Sequence, residues 1–173
     1  MEKQRFTAKS IALMGVLMAL DLILSRFFAI PTQFVKISFA FIPLVFMGML
    51  YTPIVSGSAN ALSDFIGANL FPTGPYFPGF TLTAFLSGFI YSTFYYKKEM
   101  TLKRIITVNL IVTVFLNLGL NTLWLYMMFG KGALAFIPSR IISSSIMFVV
   151  HVFGTYWLGN VKVLQNQLIK FNA

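Results

Sequence analysis

Six apolar segments, most of them close to the length of a bilayer-spanning helix, dominate this chain of 173 residues. An α-helix needs about 20 mainly apolar residues to cross the hydrocarbon core. Only 10% of the residues are charged, whereas a typical soluble domain carries about 25%. The pattern predicts an all-α integral membrane protein of six transmembrane helices in a single domain, residues 1–173. The predicted segments are 8–27, 36–50, 53–68, 79–96, 105–128 and 140–160.

The distribution of basic residues predicts how the six helices are oriented. Six crossings place both termini on one side, and nine of the thirteen Lys and Arg residues fall on that side, with a cluster in "KKEMTLKR" at 97–104. Cytoplasmic loops of membrane proteins carry the excess of Lys and Arg. Both termini are therefore predicted to be cytoplasmic, and the net charge of +9 is interpreted as this signal rather than as a nucleic-acid-binding surface.

The stretch "NLFPTGPYFPGF", residues 69–80, connects the third and fourth segments and is called the outer loop below. It holds three prolines, two glycines and four aromatic rings but no charge. Prolines and glycines fix turn geometry, and rings cover apolar area at little entropic cost. The composition predicts a stiff cap over an extracellular pocket. The alternative is a set of aromatic residues at the level of the lipid headgroups.

Four basic residues lie at the outer ends of the segments, where Lys and Arg are normally scarce. They indicate an anion-accepting cavity, or side chains that extend to lipid phosphates. Two carboxylates lie inside the segments, and such residues are functional candidates by default. Asp64 is placed to accept two parallel N–H donors from a heterocycle. Asp21 could do the same, but pairing with an arginine is the favoured expectation. The four cations are Arg26, Lys36, Lys131 and Arg140.

Polar residues repeat at α-helical spacing in three segments, which predicts one polar face on each helix. Such faces either line a pocket together or join helices by hydrogen bonds, and their common outer end favours the pocket. The sets are Ser56, Asn60, Asp64 and Gly67; Thr113, Asn117, Asn121 and Trp124; and Arg140, Ser144, Met147 and His151.

Small residues form a smooth stripe along the first segment: Ala8, Ala12, Gly15 and Ala19. Small side chains let a second helix approach closely. The stripe therefore packs inside the protein or faces a partner protein. The chain has no HExxH, GxSxG or GxxxxGK[ST] motif and no cysteine, so no catalytic residue, metal or cofactor is predicted. A small membrane enzyme or a scaffold remains the more distant alternative.

Several stretches resemble the substrate-binding S components of energy-coupling-factor (ECF) vitamin transporters. They include "AKSIALMGVLMAL", "KISFAFIPLVFMGMLYTPIVSGSANALSDFIG" and "LNTLWLYMMFGKGALAFIPSRI". The run "PYFPGFTLTAFLSGFIY", with "NTLWL" and "PSRI", is most similar to the folate-specific members, and pantothenate and queuosine-precursor relatives share part of the pattern.

The resemblance implies a vitamin captured outside a bacterial cell membrane. It also implies a transmembrane T component docking on Ala8, Ala12, Gly15 and Ala19, and two cytoplasmic ATPases that supply the energy. For folate, the chemistry of the ligand matches Asp64 to the pterin edge and Asn121 to further ring hydrogen bonds. The predicted stacking residues are Tyr76, Phe77, Trp124 and Tyr126. The predicted partners of the glutamate tail or the pteridine carbonyl are Arg26, Lys131, Arg140 and Lys36.

Overall fold

The structure is a computed structural model that describes residues 7–31, 36–72, 74–132 and 137–160. Its architecture is helical, as the sequence predicts, with one minimal two-stranded ribbon near the start. In chain order the elements are α1 (Ala8–Arg26), β1 (Ile30–Pro31), β2 (Lys36–Ile37), α2 (Phe41–Leu50), α3 (Pro53–Leu70), α4 (Pro78–Tyr95), α5 (Leu102–Ile111), a π-helix (Val112–Leu120), α6 (Asn121–Phe129) and α7 (Ile137–Asn160). Because α5, the π-helix and α6 follow one another without a break, they form one continuous rod.

Local sequence explains where three of the helices begin. The Thr7 hydroxyl accepts a hydrogen bond from the Ser10 amide at 3.2 Å, which caps the start of α1. Proline opens both α3 and α4, a position where its missing N–H costs nothing. These starts agree with the predicted segments to within one residue.

The predicted start of the second segment at residue 36 is wrong, because α2 begins at Phe41. Lys36 and Ile37 instead pair antiparallel with Pro31 and Ile30. The Ser38 hydroxyl then donates to the Leu24 carbonyl at 3.1 Å and accepts from the Ala40 amide at 3.2 Å. These bonds hold the chain in a turn against the end of α1 and delay the helix.

Among the described residues, three elements are long and apolar enough to cross a membrane: α1, the rod with its following turn (Leu102–Gly132) and α7 over Ile137–Gly159. Large apolar side chains face outward on the last two, with Phe115, Phe153 and Trp157 each more than 65% exposed. A continuous exposed surface of this kind is typical of contact with lipid. Six crossings and cytoplasmic termini stay predictions, since residues 1–6 and 161–173 lie outside the described residues.

The short helix α2 lies at the centre of the protein. Val45 and Met47 have no exposed surface, and Phe41 and Met49 are also buried. The core continues onto α4 and α5, where the buried Tyr91 hydroxyl donates to Asn109 Oδ1 at 2.7 Å. A ten-residue helix that is buried on nearly every side needs no polar face, which explains its almost unbroken apolar sequence.

Glycine permits the close approach of α3 and α4. A Cβ atom at Gly88 would lie 2.6 Å from the Ser56 carbonyl oxygen, and one at Gly57 would lie 2.9 Å from the Phe85 carbonyl oxygen. Beside this crossing, Asn60 Nδ2 donates to the Ala84 carbonyl at 2.6 Å. The two helices that carry the outer loop are thus fixed to each other below it.

The substitution Gly88→Ala is therefore expected to destabilise the protein, because backbone atoms cannot yield as a flexible side chain does. Overpacking of this kind costs about 1–3 kcal/mol. Gly15→Ala is the matched control, since a Cβ there meets no atom within 4 Å and alanine favours a helix. Thermal unfolding in detergent is the measurement. A melting temperature equal to that of Gly15→Ala would contradict the close crossing.

Candidate binding site

A cavity of about 520 Å³ lies between α1, α3, α4 and α6, directly below the outer loop. Its volume falls within the range of about 300–1,000 Å³ found for small-molecule sites. Gly74 to Tyr76 of the outer loop lie over it, and Leu125 and Met128 of α6 form an apolar wall. The polar side chains that reach the cavity come mainly from α1 and α3. The predicted hollow beneath a loop is therefore present.

Arg26 and Asp64 meet at this cavity. Arg26 Nη2 donates to Asp64 Oδ1 at 3.5 Å, and the two side chains are 13% and 27% exposed. Gly67, one turn after Asp64, leaves room for the guanidinium, since a Cβ there would lie 2.9 Å from Arg26 Nε. Two residues predicted independently from the outer ends of segments one and three thus form one charged pair in the cavity wall.

Asp21 also reaches the cavity and has a hydrogen-bond partner on α3. Ser63 Oγ donates to Asp21 Oδ2 at 2.5 Å, and the side chain is buried. The Arg26–Asp64 contact is an ion pair, and the pairing of Asp21 with an arginine stays a prediction.

Phe77 and Trp124 pack behind the cavity rather than along its wall. Their ring centroids are 5.7 Å apart, and Trp124 Nε1 donates to Thr83 Oγ1 at 3.0 Å. A Cβ at Gly79 would lie 2.5 Å from the indole ring, so glycine is required where the tryptophan crosses α4. This contact joins the first turn of α4 to α6.

Asn121 and Arg140 belong to a second polar cluster at the π-helix. Arg140 Nη2 donates to the Asn117 carbonyl at 2.9 Å, and Asn121 Nδ2 lies 3.4 Å from Asn117 Oδ1. Asn121 Oδ1 and Arg140 Nε are buried and have no hydrogen-bond partner within the described ranges. Neither residue lines the cavity.

The π-helix differs from the helical spacing assumed for the polar face of segment five. That prediction assumed α-helical spacing, whereas Val112–Leu120 is π-helical, with hydrogen bonds that span five residues. The Asn117 carbonyl contacts α7, whereas Trp124 contacts α4. The side chains of Asn117 and Asn121 nevertheless contact each other, and one shared face for the four residues stays a prediction.

The remaining predicted residues lie away from the cavity. Tyr126 and Lys131 are exposed and do not line it, and the side chain of Lys36 is outside the described part of the structure. Ala8, Ala12, Gly15 and Ala19 are all exposed along one side of α1, and nothing lies within 4 Å of a Cβ built at Gly15. The opposite side of α1, with Ser10, Leu17 and Asp21, is buried.

Sequence reasoning missed Thr81, whose hydroxyl donates to Asp64 Oδ2 at 2.9 Å. Thr81 lies in the first turn of α4, just after the stiff outer loop. The hydroxyl of Thr81 beside the outer loop was the only signal in the sequence. Its pairing with Asp64, seventeen positions earlier, depends on how α3 and α4 pack.

Comparison with known proteins agrees with this arrangement. A family model for the substrate-specific component of ECF transporters matches residues 9–156. Two relatives are named folate transporter FolT. The protein from Clostridium novyi is 36% identical over 162 residues, covering 92% of this chain and 94% of the relative. That from Leuconostoc mesenteroides is 35% identical over 168 residues, covering 94% and 90%.

A helical, membrane-embedded fold with a capped cavity defines a small-molecule-binding component of a membrane transporter. The family match is specific enough to go further: the chain belongs to the substrate-specific components of ECF transporters. It is also similar to a crystal structure of FolT bound with folic acid, with a TM-score of 0.83 and 51% sequence identity over 90% of this chain and 94% of that one.

Proposed function

We propose that this protein is the high-affinity folate-binding S component of an ECF-type importer in a bacterial cell membrane. The observation that carries the proposal is the 51% identity, over nearly the whole chain, with a FolT structure bound with folic acid. The cavity beneath the outer loop supplies a site of suitable size. The chemistry of its polar wall gives a physical reason for the choice of ligand.

The Arg26–Asp64 pair is complementary to the amino-pyrimidinone edge of a pterin. That edge presents an amino group and a ring N–H as adjacent donors, followed by a carbonyl acceptor. An ionised carboxylate has about four acceptor positions, and a guanidinium has only donors. Asp64 therefore accepts from the two donors, and Arg26, whose Nη2 lies 3.5 Å from Asp64 Oδ1, donates to the carbonyl.

The other predicted residues serve the rest of the ligand in this proposal. Tyr76 lines the cavity and stacks on the ring system, with Phe77 and Trp124 forming the next layer. Arg140 and Lys131 are assigned to the acidic glutamate tail because of their positive charge. Asn121 and Tyr126 are assigned to the same part of the ligand. Each would contact it only after the ligand binds or a loop moves.

We further propose that the exposed stripe on α1, Ala8 to Ala19, is the docking surface for the transmembrane T component. Close helix packing needs small side chains on the surface, and the four residues meet this need because they are exposed. Two cytoplasmic ATPases supply the energy in this scheme, which agrees with the absence of a GxxxxGK[ST] motif from the sequence. No catalytic role is assigned to the chain.

Binding of labelled folic acid to the purified protein in detergent tests the proposal. We expect one folic acid per chain, no effect of ATP on affinity, and folic acid recovered when protein from cells is extracted and analysed by mass spectrometry. Pantothenate and a queuosine precursor serve as competitors that lack the pterin edge or the acidic tail. Retention of either one in preference to folic acid would refute the assignment.

A further inference from the structure

Three side chains form a hydrogen-bonded chain from the outer loop to the charged wall of the cavity. The Tyr76 hydroxyl lies 3.1 Å from Thr81 Oγ1, and Thr81 Oγ1 donates to Asp64 Oδ2 at 2.9 Å. Tyr76 belongs to the outer loop, Thr81 to the first turn of α4 and Asp64 to α3. The chain of bonds therefore links three separate elements at the mouth of the cavity.

The direction of these bonds follows from the number of hydrogens available. An ionised carboxylate only accepts, and a threonine hydroxyl has one hydrogen to donate. Since that hydrogen goes to Asp64, the Tyr76 hydroxyl must donate to Thr81 Oγ1. Each bond polarises the next in the same sense, and such chains strengthen cooperatively.

We propose that Thr81 is a positioning residue that couples Tyr76 of the outer loop to the ligand-binding carboxylate of Asp64. This inference rests on the proposed function, since it assigns a role within the folate site. Thr81 fixes Oδ2 while Arg26 holds Oδ1, so the carboxylate plane cannot rotate freely. The unoccupied acceptor positions then point in a fixed direction, which is what recognition of two parallel N–H donors requires.

The coupling between Asp64 and Tyr76 acts in both directions because Thr81 is bonded to both residues. A ligand on Asp64 keeps the carboxylate in the position that Thr81 needs, and Thr81 in turn holds the Tyr76 hydroxyl over the cavity. Tyr76 is held from the other side as well, by an edge-on contact with the Phe65 ring at 5.9 Å between centroids. Removing the Tyr76 hydroxyl alone therefore leaves its ring in place and tests the hydrogen bond.

The test compares Thr81→Val, Thr81→Ser, Tyr76→Phe and the double variant Thr81→Val/Tyr76→Phe, with affinity and dissociation rate of folic acid as readouts. We expect Thr81→Val to weaken binding by about tenfold, because a hydrogen bond to a charged group is lost. Thr81→Ser keeps the hydroxyl and should restore binding to within about threefold of the wild type. Thr93→Val is the matched control, since Thr93 is exposed on the same helix and donates only to the Phe89 carbonyl.

A readout of specificity separates positioning from simple structural damage. A folic acid analogue that lacks the 2-amino group offers Asp64 one donor fewer and should bind more weakly than folic acid. The ratio of the two affinities should become smaller in Thr81→Val, whereas general damage weakens the binding of both ligands equally. Tyr76→Phe alone should speed the dissociation of folic acid. Added to Thr81→Val, it should not change the dissociation rate further. Additive effects of the two substitutions, or wild-type affinity in Thr81→Val, would overturn the inference. Failure of the wild type to bind folic acid would instead overturn the proposed function.

Discussion

Replacing Asp64 with asparagine is expected to weaken folic acid binding by about 100-fold or more. Hydrogen bonds to a charged group contribute about 1.5–3 kcal/mol each, and a hundredfold change in Kd corresponds to about 2.8 kcal/mol. Asparagine has nearly the same shape, but it carries one acceptor oxygen and places an amide N–H₂ where the ligand also has a donor. Arg26, only 13% exposed, would also lose its ionic partner.

The control is Asn69→Ala, because Asn69 lies at the outer end of the same helix, is exposed, and donates only to the Phe65 carbonyl. Calorimetric titration gives the affinity, and thermal unfolding without ligand shows whether each variant remains folded. We expect Asn69→Ala to bind as the wild type does. If Asp64→Asn is folded and binds folic acid normally, the heterocycle must lie elsewhere in the cavity.

Introducing leucine at Ala12 or Gly15 is expected to abolish folate uptake by cells while leaving folic acid binding unchanged. A leucine on this exposed side of α1 meets nothing inside the protein, since even a Cβ at Gly15 has no neighbour within 4 Å. It would instead hold a partner helix away from α1, because close approach depends on small side chains. We expect the rate of uptake to fall by at least about tenfold, equivalent to 1.4 kcal/mol of lost association free energy.

Val149→Leu is the matched control, since Val149 is about half exposed on α7, away from the small-residue stripe. Uptake of labelled folate by cells and pull-down of the T component report docking, and binding to purified protein reports the cavity. Normal uptake in both α1 variants would place the docking surface on another helix. Loss of folic acid binding would show that the stripe contributes to the cavity after all.

The sequence predicted most helices and the cavity pair Arg26 and Asp64 because both depend on short-range signals. Apolar length defines the helices, and prolines mark the starts of α3 and α4. Arg26 and Asp64 each lie at the outer end of an apolar segment. Helices of similar length in one bilayer bring such ends to the same level, so their proximity in the structure has a simple cause.

Features that depend on packing between helices were not predictable in the same way. The π-helix at Val112–Leu120 leaves no signal in apolar spacing that distinguishes it from an α-helix. The bond from Trp124 to Thr83 and that from Thr81 to Asp64 each need the rotation of two helices to be known. The bond from Ser63 to Asp21 was not predictable for the same reason, since the two residues belong to different helices.

Helix α1 joins two surfaces that serve different purposes. One side carries Asp21, Ser25 and Arg26 into the cavity, and the other exposes Ala12 and Gly15. An α-helix rises about 1.5 Å per residue and behaves as a stiff rod over this length of about 27 Å. A roll or tilt of α1 caused by a partner in the lipid must therefore also move the residues of α1 that line the cavity. Docking on one side of the helix is thus coupled directly to ligand binding on the other, without movement of a loop.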